Sequence, residues 1–379
     1  MMKNGSYIYF DAAASTKPIR EALEAFNEIS LEHYANPSAL HIAGFEAEKV
    51  LRSAVETIGR LLGVESEGIY FTSGGTESNN LAIMGMVLAR QRTHRHIITH
   101  LGEHPSVTEV FKKLELEGFQ VTWLIGEVSV EEVCTNLQKD TALVSLAYVN
   151  NELGHINDIS AIAKAVKGSS EAYFFSDGVQ GFGKIPISLS HVDGYSFSGH
   201  KIGCVKGVGG LYLRHGIRIV PQILGGGQQK NLRSGTENTA SIAALAKAAE
   251  VVFGKMEENC QKVTAAKNEL LKLTEILDDV HINGNSSPYI LNLSFRGVRS
   301  EVLLHSLAEA GVLASAGSAC SANKKDKERN ALHAFGYDKS IYESAIRFSF
   351  SPDNTVREAE RAAEIICEKV NFLRKYTRK

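Results

Sequence analysis

The stretch Gly194-Tyr195-Ser196-Phe197-Ser198-Gly199-His200-Lys201 carries the main signal for both the fold and the chemistry of this chain. A short apolar or aromatic run is typical of a β-strand, and here a glycine and two hydrogen-bonding side chains separate that run from a lysine. A lysine placed in this way can form a Schiff base with an aldehyde cofactor. These residues alone are more often part of a solvated loop, so the hypothesis needs a second signal.

That second signal is Asp177, which directly follows the strand-like run Ala172-Tyr173-Phe174-Phe175-Ser176. Pyridoxal phosphate needs a carboxylate that keeps its pyridine nitrogen protonated and a lysine that holds its aldehyde. The chain offers both groups, and each comes after a predicted strand. Asp177 and Lys201 together therefore predict a pyridoxal-phosphate site.

Composition and charge exclude several classes of protein. A chain of 379 residues that is 44% hydrophobic can bury a large core but is too long for one compact core, so we expect a large domain and a smaller one. The formal net charge of −2 argues against nucleic acid or an anionic membrane as the main partner. The N-terminus has no apolar signal region, and no stretch approaches about eighteen apolar residues. We therefore expect a cytoplasmic protein without a membrane segment.

The cysteines are odd in number and widely scattered: Cys134, Cys204, Cys260, Cys320 and Cys367. The absence of a Cys-x-x-Cys pair excludes a simple disulfide framework and gives no spacing for a metal site. We expect a reduced chain in which a single thiol could be functional.

Strand-like and helical patterns alternate through the first two thirds of the chain. The predicted strands lie at residues 7–10, 68–71, 96–99, 120–125, 141–149, 172–176, 194–197 and 207–213. The predicted helices lie at residues 18–29, 43–62, 79–88, 105–116 and 159–166. Near-continuous apolar strands that alternate with amphipathic helices are typical of an α/β sheet covered by helices on both faces.

The turn Thr72-Ser73-Gly74-Gly75-Thr76-Glu77-Ser78 lies between a predicted strand and a predicted helix. Free backbone N–H groups at a helix N-terminus form a suitable site for a phosphate, although a simple capped turn explains the same residues about as well. A nucleoside triphosphate is disfavoured, because no Gly-Lys-Ser/Thr sequence follows the glycines.

Polar residues follow five separate predicted strands. They are residues 73–76, His104, Asn151, Asp177 and residues 198–201. Ligands of such sheets bind beyond the carboxyl ends of the strands. The sequence therefore predicts one convergent polar site at this edge of the sheet.

The C-terminal part of the chain predicts a smaller α+β unit. A long helical pattern at residues 239–277, with a kink at Gly254, connects it to the first domain. The remaining predicted strands lie at residues 280–283, 290–295, 312–315 and 345–350, and the predicted helices at residues 301–310 and 355–373. Between these elements lies a loop of small residues around Cys320, followed by a charged segment at residues 324–330.

These motifs resemble those of the fold-type-I pyridoxal-phosphate enzymes, and among them the NifS/IscS-like class V group, the cysteine desulfurases. The resemblance runs through nearly the whole chain. Its most specific motifs are Phe71-Thr72-Ser73-Gly74-Gly75-Thr76-Glu77-Ser78-Asn79, Val149-Asn150-Asn151-Glu152, Asp177-Gly178-Val179-Gln180, Ser198-Gly199-His200-Lys201, Arg233-Ser234-Gly235-Thr236-Glu237-Asn238 and Gly317-Ser318-Ala319-Cys320. It implies a large domain at residues 15–255 with a mixed, mostly parallel sheet. A smaller α+β domain of residues 1–14 and 256–379 would carry the cysteine loop.

The resemblance also implies which residues bind the cofactor. Lys201 would bind it covalently, Asp177 would pair with its pyridine nitrogen, and Gln180 would contact its ring hydroxyl. His104 would stack on the ring and take part in proton transfer. The remaining contacts would come from Asn151 and, at the phosphate, from Gly75, Thr76, Ser198, His200 and the neighbouring subunit's copy of Thr236 in a homodimer.

For the substrate, the resemblance implies that Arg347 binds the carboxylate of L-cysteine in a bidentate, charge-assisted pair, with help from Asn151 and Asn36. Cys320 would be the nucleophile that accepts the sulfur, because a thiolate on a loop of small residues can move between an internal site and an external partner. The other cysteines are better explained as packed small hydrophobes.

The implied activity is the conversion of L-cysteine to L-alanine, with transfer of sulfur as a persulfide on Cys320 to an acceptor such as an iron–sulfur scaffold or a tRNA thiolation enzyme. The alternatives are a selenocysteine lyase, a pyridoxal-phosphate-dependent aminotransferase and a non-catalytic sulfur-transfer scaffold. Transamination needs no nucleophilic thiol, and a scaffold needs neither Lys201 nor Asp177. The chain departs from the family pattern at two places. Val205 stands where a proline is usual, which loosens a turn but removes no catalytic group. The charged residues 324–330 stand where a more neutral loop is usual and leave the sulfur acceptor open.

Overall fold

The computed structural model describes residues 7–316 and 331–377 of the chain. Its strands are β1 (Ile8–Tyr9), β2 (Ile69–Thr72), β3 (His96–His100), β4 (Gln120–Leu124), β5 (Thr141–Ser145), β6 (Tyr173–Asp177), β7 (Gly194–Ser198), β8 (Gly209–Leu213), β9 (Val280–Gly284), β10 (Ile290–Phe295), β11 (Val312–Leu313) and β12 (Ala345–Ser349).

The helices lie between these strands in chain order, except for the last one, which follows β12. They are α1 (Arg20–Glu32), α2 (Ile42–Leu62), α3 (Gly75–Arg90), α4 (Pro105–Leu116), α5 (Val130–Asn136), α6 (Ile159–Ser169), α7 (Thr239–Gly254), α8 (Met256–Leu271), α9 (Leu273–Ile276), α10 (Ser300–Glu309), α11 (Ala331–Ala334), α12 (Lys339–Tyr342) and α13 (Val356–Thr377). None of the described helices is long and apolar enough to cross a membrane.

A seven-stranded sheet forms the centre of the large unit, in the order β2-β8-β7-β6-β5-β3-β4. The five strands β7, β6, β5, β3 and β4 run parallel to one another. Strand β8 runs antiparallel to both of its neighbours, β2 and β7. The predicted mixed, mostly parallel sheet is therefore confirmed. The carboxyl ends of the parallel strands lie at the same edge of the sheet, and the predicted site residues follow these strand ends in the chain.

Helices cover both faces of this sheet, because successive strand residues are buried on opposite sides. On β6, Phe174 packs with residues of α6 and α7, while Phe175 packs with residues of α3 and α4. On β3, Ile98 belongs to the same hydrophobic core as Phe174, and Ile97 belongs to the same core as Phe175. All four side chains are fully buried, which explains why the strands read as continuous apolar runs.

The smaller unit contains the antiparallel sheet β12-β10-β9 and the parallel pair of β1 with β11. Its helix α13 packs against α8 and α10. The described residues before α1 therefore belong to this unit, because β1 pairs with β11 and Asp11 forms a bridge with Ser349.

Most predicted elements are confirmed, and the differences lie mainly at their ends. The apolar run at 141–149 leaves the strand after Ser145, because Val149 instead pairs with Ile156 across a tight turn. Helix α3 begins at Gly75, before the predicted residue 79, because the polar turn residues form its first turn. At the predicted kink at Gly254 the helical stretch 239–277 is interrupted: α7 ends there and α8 begins at Met256. The short helices α5, α11 and α12 were not predicted.

Glu103 joins two of the strand-end loops from a buried position. Its Oε1 accepts a hydrogen bond from the N–H of Ala147 at 2.7 Å, while Oε2 has no partner among the described residues. Burial raises the pKa of Glu103 to about 8, and the nearby charge of Asp177 acts in the same direction. The carboxyl group is therefore protonated in the folded protein at neutral pH.

Replacing Glu103 by glutamine tests this assignment. The folded chain keeps the proton up to about pH 8, whereas an unfolded chain loses it near 4.5. From this group alone, the free energy of unfolding should fall by up to about 1.4 kcal/mol per pH unit between these values. Because Glu103→Gln cannot lose a proton, its free energy of unfolding should rise relative to the native protein over the same interval.

Denaturant unfolding of both proteins at several pH values between about 5 and about 8 measures the difference. The exposed residue Glu28 provides the control, because Glu28→Gln should follow the native profile. Parallel profiles for the native protein and Glu103→Gln would show that the buried carboxyl group is ionised, contrary to this assignment.

Candidate functional site

Lys201 lies at the edge of the sheet where the parallel strands end. It closes a short 3-10 turn, Gly199–Lys201, that follows β7 directly. Its Nζ donates hydrogen bonds to the carbonyl oxygens of Ala13 at 2.6 Å and Ala14 at 2.8 Å. The amine therefore faces the loop that enters the site from β1.

Thr16 fixes this loop to the lysine turn. Its N–H and its hydroxyl group both donate to the carbonyl oxygen of His200, each at 2.9 Å. The Thr16 hydroxyl group also accepts a hydrogen bond from the N–H of Gly203 at 2.8 Å. The sequence analysis did not identify this role, because nothing in the sequence brings two segments more than 180 residues apart together.

Asp177 ends β6, the strand next to β7, and its carboxylate is held by two donors. The Asn79 amide donates to Oδ2 at 2.7 Å, and the N–H of Val179 donates to Oδ1 at 2.9 Å. Between Asp177 and Val179 only a glycine fits, because the ring of Tyr195 occupies the space of a side chain. A Cβ at Gly178 would lie 1.8 Å from Cζ of Tyr195. The carboxylate is therefore fixed in position before any ligand binds.

Asn79 also connects Asp177 to His104. Its amide nitrogen donates a second hydrogen bond, to Ser106 Oγ at 2.8 Å, and this oxygen lies 2.7 Å from His104 Nδ1. The N–H of Ser106 donates to the same Nδ1 at 3.1 Å. Because Asn79 already donates to the Ser106 oxygen, the serine hydroxyl hydrogen is directed at Nδ1. These donors assign the proton of the neutral imidazole to Nε2.

The electrostatic surroundings of His104 show that the site groups lie close together. Although the residue is exposed at the mouth of the site, the protein around its ring lowers the pKa of the imidazole. The charge of Asp177 opposes this shift, while the charges of Lys201 and Arg347 add to it. His104 is therefore neutral at neutral pH and can donate through Nε2.

The N-terminus of α3 has the backbone geometry that the predicted phosphate site requires. Its N-cap residue, Gly74, has φ 153° and ψ −177°, a backbone conformation that is essentially restricted to glycine. At Gly75, a Cβ would lie 2.6 Å from a methyl carbon of Val179, so a side chain does not fit there either. The first N–H groups of the helix, including that of Thr76, have no acceptor within the helix.

Ser198 and His200 lie beside this helix terminus. Ser198 Oγ is buried, has no partner among the described residues and would lie 3.7 Å from a Cβ at Gly74. Burial lowers the pKa of His200 to about 4, with additional contributions from Lys201, Lys206 and Lys184. His200 is therefore a neutral hydrogen-bonding group, and its Nδ1 lies 3.4 Å from Ser15 Oγ.

Gln180 is buried between Asp177 and the N-terminal loop. Its Nε2 donates to the carbonyl oxygen of Ala13 at 2.9 Å, the same oxygen that accepts from Lys201. Its Oε1 accepts a hydrogen bond from Lys184 Nζ at 3.0 Å. The donor end of the Gln180 amide therefore faces the Ala13 carbonyl oxygen beside Lys201, and its acceptor end faces Lys184.

Arg347 enters the site from β12 of the smaller unit. Its Nη2 lies 2.8 Å from Asp11 Oδ1, and its Nη1 donates to the carbonyl oxygen of Asn151 at 3.0 Å. Its Nε is buried and has no partner in the described part of the chain. Asp11 and Asn151 therefore hold the guanidinium group in a fixed orientation and leave donors for an anion.

Two of the predicted residues are not in contact with this cluster. Asn36 lies in an exposed turn, where its Oδ1 accepts a hydrogen bond from the N–H of Ser38 at 2.9 Å. Thr236 is exposed and lines a cleft of about 230 Å³ that Ser73 and Arg233 also line. The roles of Asn36 and Thr236 in ligand binding stay predictions.

The reactive cysteine of the sequence analysis, Cys320, lies outside the described residues. Among the cysteines that are described, Cys204 is buried in the core, where burial raises the pKa of its thiol to about 12. Burial also raises the pKa of Cys260 and Cys367. The predicted packing role of Cys204 is confirmed, and its thiol is protonated at neutral pH.

The residues present fit pyridoxal phosphate. The unpartnered hydroxyl group of Ser198 and the free N–H groups at the start of α3 would be satisfied by a phosphate. Asp177, held by two donors, can accept from a protonated ring nitrogen at the end of the neighbouring strand. Lys201 is adjacent to both, because β6 and β7 pair Asp177 with Ser196.

Comparison with known proteins agrees with this arrangement. The family model described as aminotransferase class-V matches residues 8–362. A "NifS/IcsS protein homolog" of Lactobacillus delbrueckii subsp. bulgaricus is 40% identical over 364 residues, which cover 93% of this chain and 94% of that protein. A "Cysteine desulfurase" of Trichormus azollae is 38% identical over 379 residues, which cover 97% of this chain and 94% of that protein.

The fold is shared with a solved structure described as "NIFS-LIKE PROTEIN". The TM-score is 0.91 at 34% sequence identity, and the match covers 97% of this chain and 100% of that one. The matched residues include the seven-stranded sheet, Lys201, Asp177 and strand β12, which carries Arg347. This chain therefore belongs to the aminotransferase class-V family.

Proposed function

We propose that this chain is a pyridoxal-phosphate-dependent cysteine desulfurase. It converts L-cysteine to L-alanine and transfers the sulfur atom, as a persulfide on Cys320, to an acceptor protein. The observation that carries this proposal is the convergence of Lys201, Asp177, His104 and Arg347 at one edge of the sheet, in a chain whose relatives include proteins named cysteine desulfurase. The family to which the chain belongs is pyridoxal-phosphate-dependent in general.

The residues around the cofactor site have separate tasks. Pyridoxal phosphate, when bound, supplies an aldehyde for the Lys201 amine and a ring that accepts electrons. Gly75, Thr76, Ser198 and His200 would hold its phosphate, Asp177 would pair with its pyridine nitrogen, and Gln180 would contact its ring hydroxyl. His104 would lie against the ring.

The substrate residues bind L-cysteine and move its protons. Arg347 binds the carboxylate with the donors that Asp11 and the backbone of Asn151 leave free, and Asn36 and the Asn151 side chain assist. The Lys201 amine takes the Cα proton, and His104 takes part in proton transfer through Nε2, acting as an acid only when its imidazole is protonated. Burial of Arg347 strengthens its pairing with a carboxylate, because water competes less.

Cys320 accepts the sulfur. Its thiolate attacks the sulfur atom of the substrate, so the carbon–sulfur bond of L-cysteine breaks and a sulfur–sulfur bond forms. L-cysteine and the Cys320 thiol thus become L-alanine and a Cys320 persulfide, without any external oxidant. An iron–sulfur scaffold protein or a tRNA thiolation enzyme then takes the sulfur.

We also propose a cytoplasmic homodimer in which Thr236 reaches the phosphate site of the partner subunit. Thr236 is exposed, as such a role requires. Large apolar side chains are also exposed at the start of α2, with Leu40 at 106% and Ile42 at 73% of their full exposure. A subunit interface would bury such side chains.

The first test compares the native protein with Cys320→Ser. With L-cysteine and an added reductant, the native protein should release alanine and sulfide in equal amounts. Cys320→Ser should release neither, because its hydroxyl group is a far weaker nucleophile than a thiolate. Cys134→Ser, which removes a half-buried cysteine from α5, is the matched control and should retain both products.

Full sulfide release by Cys320→Ser would overturn the role of Cys320. A native protein that binds pyridoxal phosphate, releases neither product and exchanges amino groups between amino acids and keto acids would instead be an aminotransferase.

The second test concerns the Arg347–Asp11 pair. Arg347→Lys should raise the KM for L-cysteine by about 10- to 100-fold, because a lysine cannot offer the same pair of planar donors. Asp11→Asn keeps the shape but removes the charge that orients Arg347, so a smaller increase of about 3- to 10-fold is expected.

Steady-state kinetics of alanine release measures both effects. Arg214→Lys is the control, because Arg214 pairs with the buried carboxylate of Asp193 outside this site. It should leave the KM for L-cysteine unchanged. An unchanged KM in Arg347→Lys would remove Arg347 from the substrate site.

A further inference from the structure

Lys184 is a buried lysine to which the proposed mechanism gives no task. It follows β6 in the turn at residues 179–184, and its N–H donates to the carbonyl oxygen of Gly181 at 3.0 Å. Only 7% of the residue is exposed. Burying a lysine is costly unless its amine has a partner, so this position calls for a specific role.

The Lys184 amine lies between the cofactor site and the smaller unit. Its Nζ donates to Gln180 Oε1 at 3.0 Å and lies 5.7 Å from the centre of the Tyr289 ring. Burial lowers the pKa of Lys184 to about 7, and the charges of Lys201 and Arg347 contribute to the shift. The amine donates a hydrogen bond in both of its protonation states.

The contact with Lys184 determines which end of the Gln180 amide faces the site. A carboxamide has a donor end and an acceptor end of nearly the same shape. The charged form of the lysine amine can only donate, so in this form Oε1 faces Lys184 and Nε2 points the other way. There Nε2 donates to the carbonyl oxygen of Ala13, which also accepts from the Lys201 amine.

We propose that Lys184 is a positioning residue that fixes the Gln180 amide with its N–H groups directed at the cofactor beside Lys201. This inference rests on the proposed function, because the group that Gln180 meets is the ring oxygen of pyridoxal phosphate. With Lys184 present, Gln180 offers this oxygen a donor. Without Lys184, only the hydrogen bond from Nε2 to the Ala13 carbonyl oxygen holds the amide, so the amide is less firmly oriented toward the ring oxygen.

Lys184→Met tests the proposal, because methionine fills a similar volume without a donor. The full-length protein, freed of cofactor, is titrated with pyridoxal phosphate, and the visible spectrum of the bound cofactor is recorded in the absence of substrate. Loss of one oriented hydrogen bond should weaken binding by about 2- to 10-fold. The visible band should also shift, because the hydrogen bond to the ring oxygen changes.

Lys267 provides the matched control. It is also a buried lysine, burial lowers its pKa to about 8, and its Nζ donates to the carbonyl oxygens of Asn285 and Ser287 at 2.9 Å each. Lys267→Met should lose stability in the same way as Lys184→Met. It should nevertheless keep the affinity and the visible spectrum of the native protein, because it does not contact Gln180.

A double-mutant cycle with Gln180→Met decides whether Lys184 acts through Gln180. In the Gln180→Met background, Lys184→Met should cause no further loss of affinity and no further spectral shift. An equal loss in both backgrounds, or unchanged affinity in Lys184→Met alone, would overturn the proposal. If the cycle gives the expected result but the native protein releases no sulfide from L-cysteine, the positioning role stands and the proposed function fails.

Discussion

The pairing of β6 with β7 is the constraint on which the site depends. These parallel strands align Asp177 with Ser196, so both strands end at the same edge of the sheet and Lys201 follows one turn later. A carboxylate and an amine brought together by backbone hydrogen bonds need no further folding to lie near each other. The remaining groups are added around this pair by α3, by the loop after β3 and by the smaller unit.

Burial and pairing divide the ionisable groups near this edge into two sets. Burial favours the neutral forms of Glu103, His104 and Lys184. Asp177 and Arg347 instead have partners suited to their charged forms, Asn79 for the carboxylate and Asp11 for the guanidinium group. Charge is therefore concentrated on the groups proposed to contact the pyridine nitrogen and the substrate carboxylate, while the surrounding groups add little net charge.

The sequence was sufficient to predict the sheet, the helices on both faces and the edge at which Lys201 and Asp177 lie, because apolar periodicity and strand-end position follow directly from the residue order. It was not sufficient to predict Asn79, Ser106 and Asp11. Asn79 is 98 residues from Asp177, and its importance depends on which way its amide points within the folded core. Sequence patterns report the period of an element, but they do not report the direction of a polar side chain toward another segment.

The loop at residues 11–16 contacts β12, a strand that is synthesised much later. Asp11 meets Arg347 across 336 residues, and the N–H of Ala13 donates to Ser349 Oγ at 2.9 Å. Residues 11–16 are synthesised before their partners on β12. A nascent chain that still lacks β12 cannot make the contacts of Asp11 and Ala13, so the proposed substrate site forms only after β12 has been made.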